Sequence, residues 1–247
     1  MFYIIFFDKF TWKFVEYIVE YRKINFEFEC IYEKRLWAIK NIIDYIREEQ
    51  KTFEERPLNE VDSLIFSNFI YINLDGLVPG LGDMHFQEFD SDMQIRDVLK
   101  RENFSSMFKG TTLPESFKKF VYELAASRRF RNVKIKNFVN INDRSIEKQF
   151  AAITFILNDE YSYKAFRGTD DTFNGWKEDF NMAFKCPVPS QEEALRYVKN
   201  VYGSLTNKIY LGGHSKGGNI AVYTLVKSDE EIQNRIGNAF SHDGPRL

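Results

Sequence analysis

The stretch L-G-G-H-S-K-G-G-N, residues 211–219, places four glycines around one serine, directly after an apolar segment. Its centre, from Gly213 to Gly217, has the pattern G-x-S-x-G. Between a strand and a helix, this pattern predicts a nucleophile elbow, a sharp turn that lifts a serine hydroxyl away from a sheet. Ser215 is therefore the candidate nucleophile, and the chemistry that the pattern indicates is acyl transfer through a serine ester.

The glycines and the helix that follows them each have a physical reason in an elbow. A sharp turn at Ser215 forces its backbone into a strained region. Side chains at positions 213 and 217 would collide with the neighbouring strand and helix, so glycine is needed there. Ser215 would then stand at a helix N-terminus, where N–H groups and the positive end of the helix dipole favour a developing oxyanion. The N–H of Lys216 is the predicted first oxyanion donor.

A second motif, A-F-R-G-T-D at residues 165–170, ends another predicted strand. In serine hydrolases with a nucleophile elbow, the second oxyanion donor comes from a loop after an earlier strand. Thr169 is placed to supply it through its N–H and its hydroxyl, while Gly168 allows the backbone to come close. We therefore predict an oxyanion hole formed by Thr169 and Lys216.

Two other interpretations of the glycine-rich stretch stay open. It could be a glycine-rich turn that contains an incidental serine. It could also be a phosphate-binding loop, although it lacks the four-residue gap and the terminal G-K-[ST] of a Walker loop.

A serine hydroxyl needs a base to become a nucleophile at neutral pH. After Ser215 the sequence has one histidine, His242, next to Asp243. Adjacent residues on a strand point to opposite faces, so we do not expect these two to work as a relay. His214 is expected to be a packed, hydrogen-bonded residue of the elbow, and His85 to lie on a surface loop. Asp243 could be an acid that follows the last strand, but D-G-P at 243–245 more often forms a turn.

Periodicity predicts the elements that hold these motifs. Helices are predicted after Asn59 and Pro114, from Ser190, which forms an S-x-x-E capping box with Glu193, and over 219–226. Strands are predicted over 133–141, 151–157, 161–167, 208–211 and 236–241. Strands that alternate with helices in the second half favour a parallel sheet with helices on its faces.

These motifs together resemble known families. F-R-G-T, then a helix with Trp and Asp, then G-H-S-x-G-G, resembles the class 3 lipases of the α/β-hydrolase fold. A closer resemblance is to the Mbeg-like proteins, a bacterial family related to those lipases. It runs from about Asn41 to the last residue, through N-E-V-D-S-L-I (59–65), F-R-G-T-D-D (166–171), G-W-K-E-D-F-N-M (175–182), G-H-S-K-G-G-N-I-A-V-Y (213–223) and D-G-P (243–245).

The resemblance implies an α/β fold of α/β-hydrolase type, with a mostly parallel sheet and helices on both faces. It also implies Ser215 as the nucleophile, with Thr169 and Lys216 as the oxyanion hole. Lys216 departs from the leucine that is usual in class 3 lipases, so a preference for lipids does not follow from the likeness. Such proteins continue past D-G-P, and the triad acid and histidine are expected in that continuation, so the domain is expected to be truncated at its C-terminus.

We divide the chain into an N-terminal extension of unknown role over residues 1–37 and an α/β-hydrolase-like domain over 38–247. The extension is dense in aromatic residues, which is compatible with peripheral membrane contact, although charges interleave with them. The formal net charge is −2, from 34 basic and 36 acidic side chains, so the chain lacks the excess of basic charge that is typical of nucleic-acid-binding proteins.

The same composition bounds location and cofactors. No apolar run approaches a membrane span and the N-terminus lacks the features of a signal peptide, so a cytoplasmic protein is predicted. Cys30 and Cys186 lack zinc-ligand spacing and are expected to be reduced thiols, and neither a metal nor a cofactor is predicted.

The predicted function is hydrolysis of carboxylic esters, lipase-like or esterase-like, on a small-molecule or lipid ester. The alternative is a catalytically incomplete α/β-hydrolase-fold protein that binds or scaffolds, because it lacks the triad acid and histidine.

Overall fold

The computed structural model describes residues 41–78, 80, 93–100, 104–108, 113–170, 172–202 and 208–246. The predicted N-terminal extension, with Cys30 and its proposed membrane contact, lies outside these residues, and so does His85. Within the described part of the chain, no helix is both long enough and apolar enough to cross a membrane.

Helices and strands alternate in the second half of the chain. The helices are α1 (Ile42–Glu48), α2 (Glu60–Phe69), α3 (Pro114–Ala126), α4 (Phe173–Asn181), α5 (Pro189–Tyr202), α6 (Lys216–Lys227) and α7 (Glu230–Gln233). Two short 3₁₀ helices, Ile95–Lys100 and Phe104–Phe108, precede α3. The strands are β1 (Lys134–Asp143), β2 (Lys148–Ile156), β3 (Tyr161–Phe166), β4 (Lys208–His214) and β5 (Ile236–His242).

The five strands form one mixed sheet in the order β1-β2-β3-β4-β5. The pairs β1–β2 and β2–β3 are antiparallel, whereas β3–β4 and β4–β5 are parallel. The prediction of a mostly parallel sheet was therefore wrong. The physical reason is the length of the connections: short turns join β1 to β2 and β2 to β3, and parallel neighbours need a longer crossover such as α4–α5 or α6–α7.

Helices cover both faces of this sheet, as predicted. One face packs against α2 through buried rings such as Phe66 and Phe155, whose centroids are 4.5 Å apart. The opposite face packs Phe166 against α5 and α6, with Val198 and Ile220 among the buried residues. Both faces are apolar because neighbouring strand residues point to opposite sides and both sides are covered.

Most local predictions are confirmed. Asn59 caps α2: its Oδ1 accepts from the backbone N–H groups of Val61 (2.9 Å) and Asp62 (3.1 Å), and Asp62 Oδ2 accepts from the N–H of Asn59 (3.0 Å). Pro114 is the first residue of α3, where its missing N–H costs no hydrogen bond. Each predicted strand is present, with ends that differ by a few residues.

The predicted capping box at Ser190 was wrong. Helix α5 begins at Pro189, so Ser190 lies inside it. The N–H of Ser190 donates instead to Glu178 Oε1 at 2.8 Å, and Gln191 Oε1 accepts from the N–H of Val188 at 2.9 Å. A carboxylate from α4 thus satisfies an N–H group that a local cap would otherwise have to satisfy.

A buried ion pair fixes α2 to the end of α3. Arg129 Nε donates to Asp62 Oδ1 at 2.8 Å and Arg129 Nη2 donates to Asp62 Oδ2 at 2.5 Å, and both side chains are fully buried. Arg129 Nη1 also donates to the carbonyls of Lys51, Thr52 and Arg56. Asp62 is a residue of α2, the helix that packs on the Phe66–Phe155 face of the sheet.

Candidate functional site

Strand β4 ends at His214 and α6 begins at Lys216, so the turn between them consists of Ser215 alone. Ser215 has φ 54° and ψ −130°, a positive φ that a residue with a side chain rarely adopts. The predicted sharp, strained turn is therefore present. Helix α6 begins three residues earlier than predicted because the turn is so short.

The glycines on either side of Ser215 are required by close backbone contacts. A Cβ atom at Gly217 would lie 2.1 Å from the carbonyl oxygen of Phe166, at the end of β3. A Cβ atom at Gly213 would lie 2.4 Å from the carbonyl carbon of Gly217. The prediction that side chains at these two positions would collide with a neighbouring strand and helix is confirmed.

The segment after β3 lies beside the elbow. A Cβ atom at Gly168 would be 3.3 Å from Ser215 Cβ and 2.6 Å from the carbonyl oxygen of His214. Parallel pairing aligns Phe166 with Gly213, which brings the two strand ends to the same edge of the sheet. The structure therefore brings the loop of Gly168 and Thr169 next to Ser215, whereas the donor roles of Thr169 and Lys216 stay predictions.

Asp179, on α4, lies near the side chains of both predicted donors. Burial raises the pKa of this carboxyl, and Lys216 and the Thr169 hydroxyl oppose that rise. Within the described residues, the Thr169 hydroxyl is buried and forms no hydrogen bond of standard distance and angle. It is nevertheless close enough to Asp179 to favour the charged form of that carboxyl.

The side chain of Lys216 is fully buried, a feature that the local sequence pattern does not predict. Its Nζ donates to Gln149 O at 2.7 Å, Gln149 Oε1 at 2.7 Å and Glu178 Oε2 at 2.9 Å. Burial lowers the pKa of Lys216 and the Glu178 carboxylate opposes that shift. Opposite charges in the two motifs, G-W-K-E-D-F and G-H-S-K-G, were the signal in the sequence that could have suggested this pair.

The two histidines at the strand ends have partners other than the serine. His214 Nδ1 lies 3.2 Å from Tyr71 Oη, so His214 is a hydrogen-bonded residue of the elbow, as expected. His242 Nε2 lies 2.8 Å from Ser63 Oγ, and burial, then nearby His214, lower the pKa of His242. Within the described part of the chain, no hydrogen bond joins Ser215 Oγ to a histidine.

Backbone contacts tie the elbow to the end of β5. The N–H of Ser215 donates to the carbonyl of His242 at 2.9 Å, and the carbonyl of Ser215 accepts from the N–H of Gly218 at 2.8 Å. Asp243 is exposed with φ 54°, in the turn that D-G-P predicts. Its position beyond the strand end separates it from the His242 ring, which faces α2.

Four aromatic side chains are exposed on α4 and just beyond its end, beside the exposed Lys177. Phe173, Trp176, Phe180 and Phe184 are exposed, by 84%, 60%, 65% and 74% respectively. Their spacing of three to four residues places them along one side of the helix and its C-terminal turn. Contiguous exposed aromatic residues of this kind are typical of surfaces that contact apolar ligands, membranes or other proteins.

No group of three or more His, Cys, Asp or Glu side chains within the described residues could hold a metal ion. Cys186 is exposed and carries a free thiol.

Comparison with known proteins identifies a family. A family model described as Mbeg1-like matches residues 124–247, half of the chain, and this part includes β1 to β5 and the elbow. No curated protein and no solved structure matches the chain.

Proposed function

We propose that this chain, which belongs to the Mbeg1-like family, is a serine hydrolase of carboxylic esters with Ser215 as the nucleophile. The observation that carries the proposal is the backbone of Ser215, held at φ 54° at the N-terminus of the 12-residue helix α6 with the Gly168 loop against it. Strain of this kind persists only when the surrounding structure enforces it, and it is typical of functional sites. The finer assignment to the α/β-hydrolase fold, related to lipases, is part of the same proposal.

In the proposed reaction, Ser215 Oγ attacks the carbonyl carbon of an ester while a general base accepts the hydroxyl proton. The carbonyl oxygen becomes an oxyanion, which receives hydrogen bonds from the N–H of Lys216 and from the N–H and hydroxyl of Thr169. The positive end of the α6 dipole adds to this stabilisation. As the C–O bond to the alcohol breaks, the base returns the proton to the leaving oxygen, and an acyl-enzyme remains on Ser215. Water then hydrolyses this ester, which releases the carboxylic acid and restores the Ser215 hydroxyl.

The exposed aromatic side of α4 supports an ester with an apolar acyl chain. Helix α4 begins four residues after Thr169, so its surface is close in sequence to the proposed oxyanion loop. An acyl chain that leaves the site along α4 would cover part of Trp176 and Phe180. We therefore expect hydrolysis to increase from acetyl to butyryl and octanoyl p-nitrophenyl esters, and the increase to be smaller for a Trp176→Ser/Phe180→Ser variant.

The test of the nucleophile is labelling with a fluorophosphonate probe, followed by peptide mass spectrometry. The wild-type protein should be labelled on Ser215, and Ser215→Ala should not be labelled. Ser228→Ala, at the other end of α6, is the matched control and should be labelled like the wild type. An unlabelled wild-type protein that is folded by circular dichroism would contradict the proposal.

A second candidate function is binding without catalysis. The observation that favours it is that His214 and His242 bond to Tyr71 and Ser63, so the described residues provide no hydrogen-bonded base for Ser215. Without a base, an oxyanion hole alone gives only slow hydrolysis. Hydrolysis of p-nitrophenyl butyrate by the wild type, absent in Ser215→Ala, would exclude this second function.

A further inference from the structure

The ammonium group of Lys216 uses all of its hydrogen-bonding capacity inside the protein. A lysine ammonium has three donors and no acceptor. Here the three acceptors are the carbonyl oxygen and Oε1 of Gln149 and Oε2 of Glu178, at 2.7 Å, 2.7 Å and 2.9 Å. The direction of the side chain is therefore fixed by three contacts to two other elements, β2 and α4.

The two carboxylate oxygens of Glu178 likewise accept three hydrogen bonds inside the protein. Its Oε2 accepts from Lys216 Nζ and from the N–H of Gln149 at 2.9 Å, and its Oε1 accepts from the N–H of Ser190 at 2.8 Å. The pair therefore joins the first residue of α6 to the middle of α4, the start of β2 and the first turn of α5. Both side chains are fully buried, so bulk water does not screen the contact.

This network connects α6, which begins with one proposed oxyanion donor, to α4, the helix that follows the other. In the proposed reaction, the backbone N–H of Lys216 is one donor. The side chain of Lys216 bonds to Glu178 on α4, the helix that follows Thr169. That helix is held closely against β2: a Cβ atom at Gly175 would lie 3.1 Å from Gln149 Oε1 and 2.7 Å from Asp170 Oδ1. A shift of α4 relative to α6 would therefore move the Thr169 loop relative to Lys216.

We propose that the buried Lys216–Glu178 pair is a positioning device that sets the separation of the two oxyanion donors by tying α4 to the N-terminus of α6. The inference rests on the proposed function, because the separation of the two oxyanion donors matters only for that reaction. A leucine in place of Lys216 could fill the space, but an apolar contact has no direction and would not fix α4 through Gln149 and Glu178. A buried ion pair is weak support for stability, so its specific geometry is the more informative property.

The experiment compares Lys216→Met, Glu178→Gln and the double variant Lys216→Met/Glu178→Gln with the wild type. Arg129→Met is the matched control, because it breaks another fully buried ion pair, that of Arg129 with Asp62 of α2. Two quantities are measured where every variant is folded by circular dichroism. They are the rate of fluorophosphonate labelling at Ser215, and hydrogen exchange in peptides that cover 166–170 and 213–220, each corrected for the global free energy of unfolding.

The pair is a positioning device if Lys216→Met and Glu178→Gln slow labelling by about tenfold or more and speed exchange in both peptides, while Arg129→Met changes neither. The double variant should be more stable than Lys216→Met, since no unpaired charge remains buried, yet it should keep the slow labelling. Recovery of labelling in the double variant, or an equal loss in Arg129→Met, would show that the pair contributes only to stability.

The two proposals fail separately. If the folded wild-type protein is not labelled at all, the nucleophile assignment fails. The exchange measurement still decides the positioning role, because it reports whether the 166–170 and 213–220 segments loosen together. Unchanged exchange in both peptides of Lys216→Met and Glu178→Gln would overturn the inference whatever the labelling result.

Discussion

Replacing Gly217 with alanine tests whether the elbow is packed as tightly as the structure shows. The new Cβ would lie 2.1 Å from the carbonyl oxygen of Phe166 and 3.0 Å from its carbonyl carbon. Both atoms are backbone at the end of β3, so no side-chain rotation can relieve the contact. Since Cβ atoms essentially never lie within 3.0 Å of such atoms, α6 and β3 must separate by roughly 0.9 Å.

The size of the effect follows from two opposing contributions. Alanine in a helix is more favourable than glycine by about 1 kcal/mol. Forcing extra atoms into a packed region costs about 1–3 kcal/mol, and more where backbone has to move. Because backbone has to move here, we take the packing cost as about 3 kcal/mol. The helix gain of about 1 kcal/mol offsets part of it, so we expect Gly217→Ala to lower the free energy of unfolding by about 2 kcal/mol, with a loss of Ser215 labelling as the Phe166 end of β3 moves away.

Urea unfolding followed by circular dichroism measures this change, with Gly237→Ala as the control. A Cβ at Gly237, an exposed residue of β5, would meet Lys208 Cε at 2.7 Å and Tyr210 Cε1 at 3.0 Å, both in side chains that can rotate. The control should stay within about 0.5 kcal/mol of the wild type. If Gly217→Ala is as stable as Gly237→Ala, β3 and α6 are not in the close contact from which the elbow is inferred.

Three further predictions concern stability, each measured by urea unfolding. Arg129→Met leaves the Asp62 carboxylate buried without its partner and should lower the free energy of unfolding by about 3–5 kcal/mol; a loss below 1 kcal/mol would contradict the buried pair. Asn59→Ala should cost about 1 kcal/mol because two N–H groups of α2 lose their acceptor, and Asn59→Ser, which keeps an acceptor, should cost less. Burial, with Arg235 and Lys136 nearby, lowers the pKa of Lys164, so folding opposes its charged form. This penalty is fully present below the folded-state pKa and fades as the pH rises from there to the unfolded-state pKa, so Lys164→Met should be stabilising at pH 7 and the gain should shrink by pH 10; a gain that does not vary with pH would contradict this reasoning.

Local elements were predictable because their signals lie within a few residues. Asn59 and Asp62 are three positions apart, and the apolar run of β2 needs no distant partner to be recognised as a strand. The elbow was predictable for the same reason, since G-x-S-x-G between a strand and a helix describes a local geometry. The strained φ of Ser215 and the close contacts of Gly213 and Gly217 agree with that prediction.

Features that depend on distant contacts were not predictable. Alternation of strands and helices does not show which strands join through short turns, so the antiparallel half of the sheet was missed. Ser190 matched a local capping pattern, but Glu178 reaches its N–H from another helix. The Lys216 side chain contacts Gln149, 67 positions away in the sequence, and His242 contacts Ser63, 179 positions away. The periodicity and local motifs of a single sequence do not specify contacts at such separations.

The mixed sheet also has a consequence for the order in which the protein folds. Strands β1, β2 and β3 form a meander of neighbouring segments, whereas β3 meets β4 only after the 41-residue connection between Phe166 and Lys208 has closed. Pairings between distant segments carry a larger loop-closure cost and form more slowly. The proposed nucleophile and its facing loop lie on opposite sides of that late pairing, so a partly folded chain could complete its meander and still be inactive. Gain of reactivity at Ser215 during refolding should therefore trail the gain of strand content.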